Sequence, residues 1–96
     1  MSKFQSDRIK AYEAKGYIVL KTIRLNKSGF PDLFILKPGG EIFFEEIKEG
    51  KDTLKQLQKY RIDQLNNMGF KATCVHNTKG VIYPKEKSKQ NEGLEF

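Results

Sequence analysis

Asp32, Glu46 and Lys48 are the residues whose types and spacing could do chemistry in this 96-residue chain. Asp32 stands directly ahead of an apolar run, Leu33–Lys37, and Glu46 and Lys48 close a second run, Glu41–Lys48. Pro38-Gly39-Gly40 between the two runs is a turn signal, so the stretch predicts a β-hairpin. With the turn centred near Gly40, Asp32 falls opposite Lys48, and Phe34 opposite Glu46. Strand side chains alternate faces, which puts Glu46 and Lys48 on one face with Asp32 beside them. Two carboxylates and one ammonium then meet at the open end of the hairpin. Carboxylates held close repel, and each raises the pKa of the other. A divalent cation relieves that repulsion, because hard cations prefer carboxylate oxygens. Beside a lysine, such an ion can position and activate water for attack on a phosphodiester. Taken singly, Asp32 reads as a turn residue, and Glu46 with Lys48 as an exposed strand pair. An apolar strand has no packing need for charges at its end, so the three together favour catalysis. Glu45 points to the opposite face and reads as a salt-bridge or interface residue.

The elements that must position these groups follow from periodicity. Residues 2–15 predict a helix, with Ser2 and Gln5 at capping-box spacing, Phe4, Ile9 and Tyr12 on an apolar face, and Gly16 after the end. Tyr17–Ile23 predicts a buried strand, and Arg24–Phe30 a polar loop. After the hairpin, residues 54–68 predict a helix with Leu54, Leu57, Arg61, Leu65 and Met68 along one stripe and Thr53 with Gln56 as a capping pair. Phe70–Val75 alternates like a strand, with Phe70, Ala72 and Cys74 on one side. His76 reads as a loop residue, Tyr60 and Tyr83 as packing residues, and Val81-Ile82-Tyr83 as a last strand or an interface segment. A helix between two strands implies a crossover and a parallel pair beside the antiparallel hairpin. The expected fold class is therefore α/β, a small mixed sheet flanked by helices in the order α-β-β-β-α-β.

Length allows a single domain, expected over 1–84, with 85–96 as a polar, mobile tail. The formal charge of +6 favours polyanion partners, although on charge alone a merely basic soluble protein is the better reading. Three lysines and three glutamates cancel in the tail, so the excess belongs to the folded part. Cys74 is the single cysteine, which excludes an internal disulfide and a thiolate zinc cluster within one chain. No apolar run reaches eighteen residues and the first seven residues carry no apolar signal core, so neither a membrane span nor secretion is expected. A reducing, cytoplasmic location fits these features.

Pro31-Asp32, the spacer, and Glu46-Ile47-Lys48 resemble the motif of the PD-(D/E)xK nuclease superfamily. Lys27-Ser28-Gly29-Phe30-Pro31-Asp32, then Glu46-Ile47-Lys48, then a helix carrying Gln58, is similar more narrowly to the virus-type replication-repair nuclease (VRR-NUC) family, in a stand-alone phage-type form. That likeness runs from about Gly16 to Val75. It implies a restriction-endonuclease-like core and a Mg²⁺- or Mn²⁺-dependent endonuclease acting on DNA, branched DNA such as four-way junctions or flaps in particular. It implies metal binding by Asp32, Glu46 and the Ile47 carbonyl, orientation of water or neutralisation of the phosphate by Lys48, and a site-directed role for Gln58. The family often adds an acid from the first helix; Gln5 and Asp7 are the candidates here and neither matches well. Stand-alone members act as homodimers, with the second helix or Val81-Ile82-Tyr83 as the expected contact here. Arg24, Asn26 and Lys27 ahead of the Pro-Asp step, and Lys51 beyond the hairpin, could hold flanking phosphates, which position DNA without reading its sequence. Each of them also fits a solvated basic loop.

Two other readings stay open at this point. A non-catalytic nucleic-acid-binding module with the same fold would bind DNA without cutting it. A small interaction protein would lack the steep salt dependence that phosphate contacts impose.

Overall fold

The computed structural model describes residues 2–85; the expected mobile tail lies outside them except for Lys85. Seven elements follow in order: α1 (Lys3–Glu13), β1 (Ile18–Lys21), β2 (Leu33–Lys37), β3 (Glu41–Lys48), α2 (Gln56–Asn67), β4 (Lys71–His76) and β5 (Gly80–Tyr83). The strands form one sheet in sequence order, antiparallel except for the β3–β4 pair. The parallel pair is the one bridged by α2, as the crossover requires. Val81-Ile82-Tyr83 belongs to the last strand.

The hairpin register differs from the sequence expectation by two residues. Leu33 pairs with Glu45, Phe34 with Phe44, and Lys37 with Glu41, so the turn centres on Gly39. Gly39 and Gly40 both have positive φ, which closes a three-residue loop that other residues would strain. Asp32 therefore continues the ladder toward Glu46 rather than Lys48. A slip of two keeps every side chain on its expected face, whereas a slip of one would have inverted them.

Two cores sit on the two faces of the sheet. On one face α2 lays Ile62 and Leu65 over Phe44, Ala72 and Cys74. On the other, Phe4, Ile9 and Tyr12 of α1 pack on Leu33, Ile35, Ile47 and Val75. Ser2 Oγ accepts the Gln5 N–H at 3.0 Å, which gives α1 its N-cap. Glu45, on the α1 face, is buried and takes Arg8 Nε (3.0 Å) and Nη2 (2.5 Å) on its two oxygens, with the Tyr12 hydroxyl also donating to it.

Three further expectations about the elements need correction. The stripe of α2 is not Leu57 and Met68, which are 43% and 68% exposed, but Gln58, Ile62 and Leu65. The α2 cap is Lys55, not Thr53, and the Lys55 N–H donates to the Gln58 side-chain Oε1 at 3.0 Å. β1 is an edge strand rather than a buried one: Ile18 and Leu20 are 59% and 48% exposed, and Ile23 lies beyond its end. Among the described residues no helix is long and apolar enough to cross a membrane.

Candidate active site

The α2 face of the sheet carries the charged cluster at the ends of β2 and β3. Pro31, buried and without an N–H, stops the β2 ladder short of Asp32. The Asp32 carboxylate then takes over as acceptor, receiving the Ile47 N–H on Oδ2 at 2.9 Å. Thr22 steadies the same corner, its hydroxyl donating to the Pro31 carbonyl at 2.7 Å and its N–H to the Asp32 carbonyl at 2.9 Å.

Glu46 and Lys48 alternate with Ile47 along β3, so both turn toward α2 and both are buried. Lys48 Nζ lies 3.5 Å from Glu46 Oε2, and Gln58 Nε2 donates to the same oxygen at 3.1 Å. Gln58 is the third residue of α2, and its carbonyl accepts the Lys55 N–H. Both ends of its amide are thus fixed, and the N-terminus of α2 is tied to Glu46. Glu46 Oε1 is buried and has no hydrogen-bond partner. Burial, then the charge of Asp32, push the Glu46 carboxyl up to about 7, against the opposing pull of Lys48.

This cluster fits a divalent cation on its own chemistry. It offers two neighbouring carboxylates and one buried acceptor oxygen with nothing to accept from, a combination unfavourable without a cation. A strand residue's N–H and C=O point to the same side. The Ile47 N–H points to Asp32 and the Lys48 carbonyl accepts from Asn77 across β4, so the Ile47 carbonyl opens on the Asp32 side. Among the described residues no third Asp, Glu, His or Cys joins into a three-member ligand group. Asp7, on the helix of the other face, pairs with Lys3 at 3.0 Å in solvent.

The structure brings Asp32, Glu46, Ile47, Lys48 and Gln58 together. Arg24, Asn26 and Lys27 are exposed on the loop before β2, and Lys51 is exposed on the turn after β3. Arg24 and Lys27 line a cavity of about 350 Å³ with Thr22, Ser28 and Phe30. α2 holds that loop in place: Arg61 Nε donates to the Ser28 carbonyl at 3.0 Å, and its guanidinium lies 4.7 Å from the Phe30 ring centre. Gly29 makes the approach possible. Its φ is +84°, and a Cβ there would stand 2.6 Å from Leu57 Cγ.

His76 is a buried strand residue and not the loop residue the sequence suggests. Its Nδ1 accepts the Thr78 N–H at 3.1 Å, so Nε2 carries the proton and donates to the Gly50 carbonyl at 2.9 Å. It thereby anchors the turn that follows Lys48. The apolar flank of Val75 was a faint signal for that burial, but nothing local points to Gly50. Tyr60 is 55% exposed rather than packed, while Tyr83 packs against the α2-side core and donates to Asp63 Oδ1 at 2.5 Å.

The VRR-NUC domain family matches residues 3–79 of the chain. A solved structure titled "VRR_NUC domain" superposes with a TM-score of 0.72 at 22% identity, covering 98% of this chain and 95% of that one. At that identity the likeness concerns the fold, and the two folds agree. No curated protein sequence matches the chain.

Proposed function

The chain belongs to the VRR-NUC domain family and has its nuclease-type α/β fold, and from that premise we propose that it is a metal-dependent DNA endonuclease. The observation that carries this reading is the buried acid pair with its unpartnered Glu46 Oε1, flanked by Lys48 and Gln58. The nuclease domain spans residues 1–84 and works in the cytoplasm of a bacterial or phage-infected cell.

Asp32, Glu46 and the Ile47 carbonyl hold the ion, Mg²⁺ or Mn²⁺. When bound, it supplies charge stabilisation at the scissile phosphate and a more acidic water. Lys48 does the positioning in this chain: its ammonium, pinned against Glu46 in a buried setting, orients the attacking water or faces the developing negative charge. Gln58 keeps Glu46 Oε2 occupied, which leaves Oε1 as the free acceptor. Arg24, Asn26 and Lys27 on the loop clamped by Arg61, and Lys51 across the site, take the phosphates on either side of the cut. A homodimer presenting two such sites about a two-fold axis suits branched DNA, four-way junctions or flaps.

The test is incubation with nicked, flapped and four-way DNA in Mn²⁺ or Mg²⁺, comparing wild type with Lys48→Ala. Cleavage by the wild type alone supports the reading. Salt-sensitive binding with no cleavage by either protein would replace it with a non-catalytic binding module.

A further inference from the structure

The two helices cover the sheet unevenly. α1 packs on one face, and on the other α2 lies over β4, leaving the β1–β2 half bare. Register places the bare residues in two adjacent rows. Ile18, Leu36 and Ile42 form one; Leu20 and Phe34 form the next, which ends at the buried Phe44 where the α2-side core begins. Phe70 extends this surface, since Phe34, Phe44 and Phe70 meet edge to face at centroid distances of 4.8 and 5.5 Å. Ile18, Leu20, Ile42 and Phe70 are 59%, 48%, 39% and 38% exposed.

Charge separates this half of the sheet from the rest of the surface. The exposed strand lysines Lys21, Lys37 and Lys71 all alternate onto the other face. A nucleic acid finds no cation among these rows. A second chain of charge +6 meets its least repulsion there. The exposed apolar area is on the order of 400 Å², in the range of patches that mark interaction surfaces. It would supply about half of the ~800 Å² that each partner buries in a standard interface. Other exposed apolar residues sit among charges: Leu57 and Tyr60 beside Lys59 and Asp63, Val81 beside Lys79 and Lys85, and Ile23 and Leu25 beside Arg24 and Lys27.

We propose that the bare β1–β2–β3 face, centred on Ile18, Leu20 and Ile42, is the surface on which a second copy of this chain docks. It rests on the homodimer reading above and fixes its contact, placing it away from α2 and β5. The docking face and the acid pair lie on the same side of the sheet, Leu20 and Phe34 being two positions from Thr22 and Asp32. Both catalytic clusters of the pair consequently border the same interface.

The experiment is sedimentation equilibrium of the full chain at tens of micromolar, an order-of-magnitude concentration for micromolar affinity. It compares wild type with Ile18→Lys/Ile42→Lys, with Tyr60→Lys/Val81→Lys and with a chain ending at Lys85. The expected result is dimer mass for wild type and for Tyr60→Lys/Val81→Lys, and at least a ten-fold weaker dimer for Ile18→Lys/Ile42→Lys with an unchanged circular dichroism spectrum. If that variant fails to fold, Ile18→Thr/Leu20→Thr, at exposed edge positions compatible with a strand, takes its place. Dimerisation unaffected by either sheet-face variant, or lost only in Tyr60→Lys/Val81→Lys, overturns the assigned surface and leaves the homodimer standing. Monomeric wild type overturns both, as does a dimer that forms only once residues 86–96 are removed; the DNA-cleavage assay on Lys48→Ala then still decides the nuclease reading by itself.

Discussion

Glu46→Gln should stabilise the metal-free protein at pH 8 while removing its response to divalent ions. Glu46 is 3% exposed, its Oε1 has no partner, and Asp32 adds a like charge. Its carboxyl stands at about 7 in the fold against an ordinary 4.5. The folded state therefore holds a proton that the unfolded chain has released between those two values. Stability is highest below the lower value, falls as pH rises through the window, and stays reduced above the upper one. Each pKa unit is worth about 1.4 kcal/mol, so the full cost above pH 7 is about 3 kcal/mol. Glutamine keeps the shape, leaves an oxygen for Gln58 and Lys48, and can donate its amide toward Asp32. Urea unfolding in chelator from pH 5 to 8.5 reads the difference. The variant should be more stable by about 2–3 kcal/mol at pH 8, with the gap closing toward pH 5. Adding Mn²⁺ at about one hundred times its Kd should raise wild-type stability by about 2.7 kcal/mol and leave the variant unmoved. A variant less stable than wild type at pH 8, or a gap independent of pH, refutes the account of a strained acid awaiting a cation.

Lys48→Ala should lower kcat on any cleaved DNA by about 10²–10³ with a much smaller change in binding, measured by single-turnover kinetics beside a filter-binding titration. Gly29→Ala places a Cβ against Leu57 at a positive φ and should cost about 1–3 kcal/mol in urea unfolding, where a neutral result would mean that the loop does not need its contact with α2. Arg8→Ala strands the buried Glu45 carboxylate and should cost about 3 kcal/mol, with partial recovery on adding Glu45→Gln in a double-mutant cycle.

The element order and the hairpin were legible because their signals are local: a Pro-Gly-Gly turn between two apolar runs, and helix caps near Ser2 and Gly16. The convergence of Asp32, Glu46 and Lys48 survived a register error of two residues because parity, not exact pairing, decides the face. The inward stripe of α2 was misread for a functional reason. Gln58 occupies an inward position that an apolar residue would otherwise fill, while Leu57 packs on the Gly29 loop and Met68 is exposed, so that the two counterfeit a stripe. Long-range partners were not readable at all. Arg8 meets Glu45 across 37 residues and His76 meets Gly50 across 26, and no spacing rule connects them. The exposure of β1 was missed because an apolar edge strand and a buried strand have the same composition.

The double tether of Gln58 narrows what evolution or design can place at that position. Asparagine is one methylene too short to cap Lys55 and touch Glu46 at once. Glutamate keeps the cap but sets a third negative group beside two that already repel, and leucine packs while leaving both polar neighbours without a donor or acceptor. Of the common amide and acid side chains, glutamine alone joins the start of a helix to a charged oxygen on a neighbouring strand.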